Sequence, residues 1–464
     1  HIFNEETLTE EEVYTYLNDN FVSVFIDADI NGVAYKQYKA QGVPYTVFLN
    51  PDSSLYFKYS GTLYAEQFLD VIQDVNQSIK RGIILNQEEK ENFEYDVPIK
   101  FSKKTIDNFR ETFTKGVLDS FDPKEYGIGR KEKSILPETF NYLLKNTKAK
   151  ERSDSIYFIS GTLEKAIDKI YDPIEGGFFR YAETRDWQIP HYEKMADLNA
   201  ATALLLYKVN RENPNPKLKK AADQTIEYLS KTLYNANIGS FLSFQQADTS
   251  YYYLKKHRRE HVEKPLVIKK IFTDNLAVTV NYLLQILDYT ANKSLEDKVR
   301  RSLDFLADMI LKHESLFHYY SIPKKEWRAM SGLSDYAFLT KLFQQASVKY
   351  PSDRYRQAAS KILRISRREY YDAEKQIFID RQLDTKDYEY LMEINAGFAL
   401  GLMGESTNNN GKLENNVKPL IRYFSGLEEL LEERLWDGNN WELLERYATF
   451  LNSADGYLSA QTIQ

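Results

Sequence analysis

A turn that recurs six times is the feature that most restricts how this chain can fold. Each copy ends a helix, passes through a short segment rich in polar residues or glycine, and reaches an aromatic residue or a glycine. The copies span residues 121–127, 171–178, 234–241, 312–317, 371–378 and 436–441. Their spacing of roughly 50–80 residues leaves room for two helices and their loops in every repeat. The chain is therefore expected to consist largely of helical pairs.

Helical periodicity places one helix before and one helix after each turn. The helices that lead into the turns are predicted near 103–120, 154–170, 216–233, 295–312, 352–370 and 417–435. The helices that follow the turns are predicted near 135–147, 194–209, 272–290, 332–347, 390–403 and 441–453. Twelve helices in six similar pairs predict an all-α (α/α)6 toroid, with the helices after the turns forming its inner ring.

The composition of individual helices fits this assignment. Segments 200–206 and 395–402 are apolar almost all round, as inner helices covered by an outer ring should be. Segments 217–231 and 296–312 carry a charged face, as outer helices should. The arrangement puts the turns and the N-termini of the inner helices on one face. A polar pocket is expected there, because helix N-termini favour negative or electron-rich ligand groups.

The first 80 residues follow a different plan, an α/β unit. The predicted elements are helices starting at 9, 33 and 65 and strands at 21–26, 45–49 and 55–59. The segment Gly42–Leu49 resembles the part of thioredoxin that carries the cis-proline, with Pro44 at that position. The resemblance implies a cis bond before Pro44 and an incomplete thioredoxin-like domain. The first strand and the Cys-x-x-Cys motif of that family would lie upstream of His1.

The chain is thus expected to be multidomain: an incomplete α/β thioredoxin-like domain (1–80), a polar linker (81–101) and the all-α barrel (102–464). The sequence has no cysteine, which excludes disulfides and thiol catalysis within it. No apolar run is long enough to span a membrane, and the net charge of -7 argues against nucleic-acid binding. A cytoplasmic location is expected, with a periplasmic or secreted one left open because the chain starts at His1.

Residues 176–195 hold the densest cluster of chemically versatile side chains. Gly176-Gly-Phe-Phe-Arg-Tyr181, followed by Trp187-Gln-Ile-Pro-His-Tyr-Glu-Lys-Met195, resembles the signature of the YyaL-like, or spermatogenesis-associated protein 20-like, family. That family joins a thioredoxin-like domain to an (α/α)6 barrel similar to N-acylglucosamine 2-epimerases and six-hairpin glycosidases. Weaker matches follow at 247–248, 273–276, 334–339 and Asn395. The resemblance implies a carbohydrate-related barrel.

Three residues of this segment are candidates for the chemistry. His191 is a candidate general acid or base near neutral pH, with Glu193 as its catalytic partner. Arg180 would orient a hydroxyl or carboxylate of the substrate. The alternative is an ion-pair and hydrogen-bond network that only fixes the loop.

Two further catalytic candidates, Asp335 and Glu393, enter the same face from other repeats. Glycoside hydrolysis needs two carboxylates across a pocket, whereas epimerisation needs bases on two sides of an acidic carbon. Asp335 would alternatively cap its helix. The candidate substrate-binding residues are Arg180, Tyr181, Trp187, Lys194, Asp274, Asn275, Tyr336 and Asn395. The aromatic members would either stack on a sugar ring or pack in the core.

The segment His257-Arg-Arg-Glu-His261 matches the His-x-x-Glu-His pattern of inverted zinc proteases. No third ligand is evident in the sequence, so we interpret the segment as a charged loop. Neither a metal site nor a cofactor is expected.

The sequence predicts a carbohydrate- or polyol-binding barrel, with a carbohydrate-like small molecule as ligand and neither nucleic acid nor a membrane as partner. An enzyme of this kind would be a cofactor-independent sugar epimerase or isomerase, or a glycoside hydrolase. Two alternatives stay open. One is a non-catalytic binding or scaffold protein that docks a protein partner through its thioredoxin-like domain. The other is a redox protein whose cysteines lie upstream.

Overall fold

The computed structural model describes residues 3, 7–26, 38, 44–83, 103–147, 149–372, 377–379, 398, 441, 444–449 and 451–452. The chain forms two compact units, residues 1–96 with 381–385 and residues 97–380 with 386–464. Within the described part, no helix combines the length and the apolar character needed to cross a bilayer.

The described residues of the first unit form an antiparallel hairpin and two helices. Its elements are α1 (Glu11–Asn20), β1 (Tyr45–Leu49), β2 (Leu55–Ser60) and α2 (Ala65–Lys80). Val13, Phe48, Tyr56, Phe68, Ile72 and Val75 form its buried core. The backbone carbonyl of Pro44 accepts a 2.9 Å hydrogen bond from the N–H of Gly61, beside the hairpin. The thioredoxin-like assignment stays a prediction, and the helix expected near 33–40 lies outside the described residues apart from Tyr38.

The predicted strand at 21–26 is wrong. These residues form no strand, and Val22, Val24 and Phe25 expose 95%, 75% and 73% of their surface. An apolar, β-prone segment becomes a strand only when a neighbouring strand supplies partners for its backbone N–H and C=O groups. The described hairpin of this unit pairs β1 with β2 and leaves the segment outside.

The second unit is built from paired helices, close to the predicted positions. The outer helices are α3 (Lys103–Asp119), α5 (Ala149–Lys169), α7 (Pro216–Lys231), α11 (Lys293–Lys312) and α13 (Asp353–Tyr370). The inner helices are α4 (Pro137–Asn146), α6 (Ala196–Glu212), α10 (Thr273–Ile286) and α12 (Leu333–Lys349). Two short helices, α8 (Thr249–Tyr252) and α9 (Lys256–Arg259), lie between α7 and α10. The predicted helix at 417–435 lies outside the described residues.

Short strands form the turns and loops between the helices. They are β3 (Tyr181–Ala182), β4 (Pro190–His191), β5 (Lys194–Met195), β6 (Tyr234–Asn235), β7 (Ser240–Phe241), β8 (Phe244–Gln245), β9 (Lys270–Phe272), β10 (Phe317–Ser321), β11 (Glu326–Met330), β12 (Tyr371–Asp372) and β13 (Ile377–Phe378). The pairs β3–β4, β5–β8, β6–β7 and β12–β13 are antiparallel, and β10 lies between β9 and β11.

The described inner helices pack side by side in chain order, and the last of them lies against the first. In chain order, α4 packs on α6, α6 on α10, and α10 on α12. The carboxylate of Glu445, in the last helical segment, accepts hydrogen bonds from the N–H groups of Glu138 (3.0 Å) and Thr139 (2.9 Å). These bonds satisfy donors at the N-terminus of α4 that have no partner within the helix. The last inner helix therefore adjoins the first.

Helices α10 and α12 each carry one partly exposed face, which we assign to a central cavity of the ring. The partly exposed residues recur with helical spacing, at Asp274, Val278, Tyr282 and Gln285 on α10 and at Ser334, Phe338, Lys341 and Gln345 on α12. Because outer helices cover the opposite side of each inner helix, these stripes face the interior of the ring. Polar side chains on the stripes are the natural candidates for ligand contacts.

Two of the repeated turns are held by the same arrangement of a lysine and an arginine around a buried aspartate. In the first, Asp122 contacts Lys133 (3.2 Å) and Arg185 (2.6 Å). In the second, Asp172 contacts Lys194 (2.8 Å) and Arg259 (2.9 Å). Each aspartate also accepts backbone N–H groups of its own turn, as Asp does in Asx turns. The aspartate of one repeat is thus joined to an Arg from the loops of the next, which ties successive turns together.

Candidate functional site

The loop after the second turn lies where the sequence predicts, ahead of inner helix α6. Gly176 and Gly177 adopt φ values of +81° and +83°, which favour glycine. A side chain on Gly177 would meet the Tyr228 ring at 2.7 Å. The chain then folds back through the β3–β4 pair and reaches α6 through β5. This path carries Arg180, His191 and Glu193 to the inner-helix N-termini.

Two of these three residues pair with each other. The guanidinium of Arg180 contacts the Glu193 carboxylate at 2.8 Å. The backbone N–H of Arg180 donates to the backbone carbonyl of Glu193, also at 2.8 Å. His191 instead stacks on Tyr181, with ring centroids 4.9 Å apart. Burial lowers the pKa of His191. Glu193 is thus hydrogen-bonded to Arg180, and the predicted catalytic roles of His191 and Glu193 stay predictions.

Lys194 is buried and paired within the protein, and its predicted role as a substrate ligand stays a prediction. Its ammonium group is fully buried, donates to Asp172 and to the Gly176 carbonyl (2.8 Å each), and lies over the Tyr228 ring. A buried cation needs such partners to offset its lost hydration. Its positive charge is paired within the protein.

Trp187 and Tyr336 are also buried in the core. Trp187 is fully buried, and its indole N–H donates to the Glu125 carbonyl at 3.0 Å. Tyr336 is 2% exposed and packs against Tyr370. Of the two readings that the sequence left open for these aromatics, core packing describes their surroundings.

Three carboxylates lie in the first turns of neighbouring inner helices: Asp197 on α6, Asp274 on α10 and Asp335 on α12. Burial raises the pKa of Asp197 and of Asp335 to about 6 each, and the nearby Asp274 charge adds to both shifts. The amide of Asn275 hydrogen-bonds to Asp197 and opposes its shift. Groups that titrate close to neutrality are suited to proton transfer. We call these three helix ends the rim.

His318 on β10 completes this rim. Its Nδ1 atom lies 2.9 Å and 3.1 Å from the two oxygens of Asp335. Asp335 is fully buried and also accepts the N–H groups of Gly332 (2.9 Å) and Asp274 (3.1 Å). The carboxylate therefore caps α12, as the alternative reading holds, and at the same time orients the imidazole.

The rim also contains the one cluster of potential metal ligands found among the described residues. Asp274, His318 and Asp335 place ligand atoms within 4.8 Å of one another. Both oxygens of Asp335 already accept backbone N–H groups, so a metal ion would compete with the cap of α12. We assign no metal to the cluster. His257 and His261 of the zinc-like motif are exposed, at and just beyond α9.

A second polar cluster lies inside the cavity, around Glu138. Tyr282 of α10 donates a short hydrogen bond to its carboxylate, and Asn452 donates another at 2.7 Å. Burial alone would raise the pKa of Glu138, but Lys341 and these hydrogen bonds outweigh it and keep the pKa below its usual range. Burial raises the pKa of Glu445, which holds the α4 backbone, to about 8. We call Glu138, Tyr282, Asn452 and Lys341 the cavity floor.

Sequence reasoning identified Asp274, Asn275 and Asp335 at the rim but missed His318, Asp197 and the floor. One signal was available: a charged or phenolic residue interrupting an apolar inner helix, as Lys341 and Tyr282 do. Two predicted residues, Glu393 and Asn395, lie outside the described part of the chain.

The paired helices place this unit among (α/α)6 toroids. Cellobiose 2-epimerase from Spirochaeta thermophila superposes with a TM-score of 0.56 at 11% identity, over 77% of this chain and 99% of that one. A family 76 glycoside hydrolase from Bacteroides thetaiotaomicron gives 0.53 at 12% identity, over 79% of this chain and 80% of that one. Similarity at these identities establishes the fold alone. The predicted toroid is confirmed at this level.

Sequence comparison leads to particular relatives. Spermatogenesis-associated protein 20 of Rattus norvegicus is 23% identical over 275 residues, and an uncharacterized protein of Caenorhabditis elegans is 26% identical over 275 residues. Each match covers 54% of this chain and little more than a third of the relative, 35% and 37% respectively. No protein-family model matches the chain. The predicted relationship to spermatogenesis-associated protein 20 is confirmed.

Proposed function

We propose that the second unit binds a reducing sugar in its central cavity and transfers a proton at the carbon next to the carbonyl, as an epimerase or isomerase. The His318–Asp335 pair at 2.9 Å, on the rim of the cavity, is the observation that supports this most directly. An imidazole oriented by a carboxylate is a suitable general acid or base near neutral pH. The fold shared with a cellobiose 2-epimerase is consistent with the proposal.

The chemistry needs no group from outside the chain. His318 removes the proton from the carbon beside the carbonyl of the open-chain sugar. The C–H bonding pair becomes a C=C bond and the C=O π pair moves onto oxygen, which gives an enediolate. The partial positive charge at the N-termini of α6, α10 and α12 favours the electron-rich oxygen of that intermediate. Delivery of a proton to the same carbon on its opposite face, with the C=O bond re-formed, gives an epimer. Delivery to the neighbouring carbon, with the hydroxyl proton passing from one oxygen to the other, gives an isomer.

Glycoside hydrolysis is less well supported by the rim carboxylates. Retaining hydrolases hold their two carboxyl groups about 5–5.5 Å apart and inverting ones about 6.5–9.5 Å apart. Ligand oxygens of Asp274 and Asp335 lie within 4.8 Å of each other. Asp335 is also fully buried and hydrogen-bonded. This pair is better suited to holding His318 than to attacking an anomeric carbon.

The proposal is tested by incubating the protein with D-mannose, D-glucose and cellobiose in D2O and following each sugar by NMR. We expect deuterium to replace the hydrogen next to the carbonyl, together with formation of an epimer or a ketose. Cleavage of cellobiose without such exchange would favour a hydrolase. Sugar binding without exchange or cleavage would favour the non-catalytic binding protein.

Arg180 is expected to contribute to binding more than to stability. Its ion pair with Glu193 is 46% exposed on the arginine side, and such pairs contribute about 0–1 kcal/mol. We expect Arg180→Ala to leave the unfolding midpoint nearly unchanged but to abolish the rise in midpoint that a bound sugar produces by mass action.

Arg152→Ala is the matched control for a thermal-shift comparison. Arg152 pairs with Glu212 at 3.0 Å with similar exposure, and it lies outside the loop at 176–195. A sugar-dependent shift that survives in Arg180→Ala would remove Arg180 from the binding site.

A further inference from the structure

The cavity floor brings together side chains from inner helices that are not neighbours in the ring. Helix α6 lies between α4 and α10, since it packs on both. The hydrogen bond from Tyr282 on α10 to Glu138 on α4 therefore passes in front of α6, inside the cavity. The charge of Asp197 at the start of α6 adds to the raised pKa of Tyr282, whose main cause is burial. The Tyr282–Glu138 pair thus lies within electrostatic reach of the rim.

The Tyr282–Glu138 pair faces α12, the helix whose Asp335 contacts His318. Helices α4, α6, α10 and α12 come first to fourth in the ring, Phe398 lies in the next helical segment, and Glu445 belongs to the last. First and fourth positions stand opposite each other in a ring of six. The positive charge of Lys341 on α12 lowers the pKa of Glu138. Asp335, which orients His318, is on the same helix as Lys341.

The floor is built to hold the Glu138 carboxylate in one place. Its oxygens accept from Tyr282 and from Asn452, and the Asn452 amide also donates to the Glu138 carbonyl at 3.1 Å. The Glu445 carboxylate fixes the backbone on which Glu138 stands, at 3.0 Å. Hydrogen bonds to several partners hold a side chain in one position, as a group that transfers protons to a substrate requires.

We propose that Glu138 and Tyr282 form the second acid–base group of the site, acting on the face of the sugar opposite to His318. This inference rests on the proposed function and restricts it to epimerisation, which requires a base on each side of the acidic carbon. For one epimer, His318 removes the proton. For the other, the proton passes to the Tyr282 oxygen while the phenolic proton passes to Glu138.

The step balances without an oxidant or a reductant. When the Glu138–Tyr282 relay removes the proton, the C–H bonding pair becomes a C=C bond and the C=O π pair moves onto oxygen as an enediolate. The protonated imidazole of His318 then supplies a proton to the opposite face. The C=C pair forms the new C–H bond, and the oxygen lone pair re-forms the C=O bond. Exchange with water returns Glu138 to its carboxylate form and His318 to its protonated form.

The test is a comparison of Tyr282→Phe and Glu138→Gln with the wild type, using D-mannose and D-glucose in D2O. These two sugars are epimers at the carbon next to the carbonyl, so each reports one direction. We expect both variants to lose at least about 100-fold in epimer formation, the lower end of what a positioned acid–base group contributes. Deuterium exchange into one of the two sugars should continue, because His318 remains.

Tyr157→Phe is the matched control, since Tyr157 is 62% exposed on outer helix α5. Epimer formation at the wild-type rate in both floor variants would overturn the relay and leave the proposed function standing. Loss of exchange into both sugars, with unchanged unfolding midpoints, would also overturn it, because His318 alone should still act. Absence of exchange and of product in the wild type would overturn the proposed function and the relay together.

Discussion

Replacing Asp172 with alanine is expected to lower the free energy of unfolding of the second unit by about 3–5 kcal/mol, the cost of removing one partner from a buried ion pair. Asp172 and Lys194 are both fully buried, and Arg259 is 5% exposed. The substitution leaves two buried cations without their common counter-ion. It also removes the acceptor of the Ile174 N–H, which shapes the second turn.

Chemical denaturation followed by tryptophan fluorescence checks this value, because all four tryptophans lie in the second unit. Asp168→Ala is the matched control. Asp168 pairs with Lys217 at 2.7 Å, but both side chains are about half exposed, so a change of about 0–1 kcal/mol is expected. A loss below 1 kcal/mol in Asp172→Ala would mean that the buried cluster does not hold the turn.

The same cluster predicts a pH dependence. Burial alone would raise the pKa of Asp172, but the adjacent Lys194 ammonium outweighs it, and the pKa lies below its ordinary value. The folded state then binds fewer protons at this site than the unfolded chain. The stabilisation is present above about pH 4 and is lost as the pH falls through the folded-state pKa. We expect the stability of Asp172→Ala to change less than that of the wild type over this acidic range.

Local sequence was sufficient to place the longer helices that are described in the second unit. The strand and turn residues between the helices mark the helix ends over a few positions of sequence. Within a helix, the apolar residues recur every three or four positions. The predicted helix at 295–312 is observed at Lys293–Lys312, and the one at 216–233 at Pro216–Lys231. The segment 21–26 failed because a strand depends on a partner that periodicity does not reveal.

The chemical type of a residue did not reveal which way its side chain faces. Lys194 follows Glu193 directly, yet its ammonium group is buried against Asp172, while Glu193 remains partly exposed beside Arg180. The decisive contacts come from residues that are distant in sequence, such as Tyr228 and Tyr252 around the ammonium group. A cluster of polar residues in one loop therefore divides into structural and accessible members only when the fold is known.

The floor was beyond sequence reasoning for the same reason. Glu138 and Glu445 come together across 307 residues, and Tyr282 reaches Glu138 past an intervening helix. His318 lies in an aromatic strand that resembles ordinary core sequence, and only its distance to Asp335 distinguishes it. Closure of the ring is what converts isolated polar residues into a site.

His318→Gln is expected to lower sugar-dependent deuterium exchange and epimer formation by about 100- to 10,000-fold, the usual contribution of a general acid–base residue. Glutamine retains a side chain that can bond to Asp335, so the cap of α12 should persist and the unfolding midpoint should change little. Its amide cannot take up a proton near neutral pH. The loss should therefore fall on kcat more than on KM.

The control is His313→Gln, the same substitution at an exposed histidine five positions earlier, just after α11. His191→Gln is the informative comparison, because the sequence alone favours His191 whereas the rim geometry favours His318. In the structure His191 stacks on Tyr181, and Asp335 orients His318. A large loss in His191→Gln together with an unaffected His318→Gln would move the chemistry from the rim to the loop at 176–195.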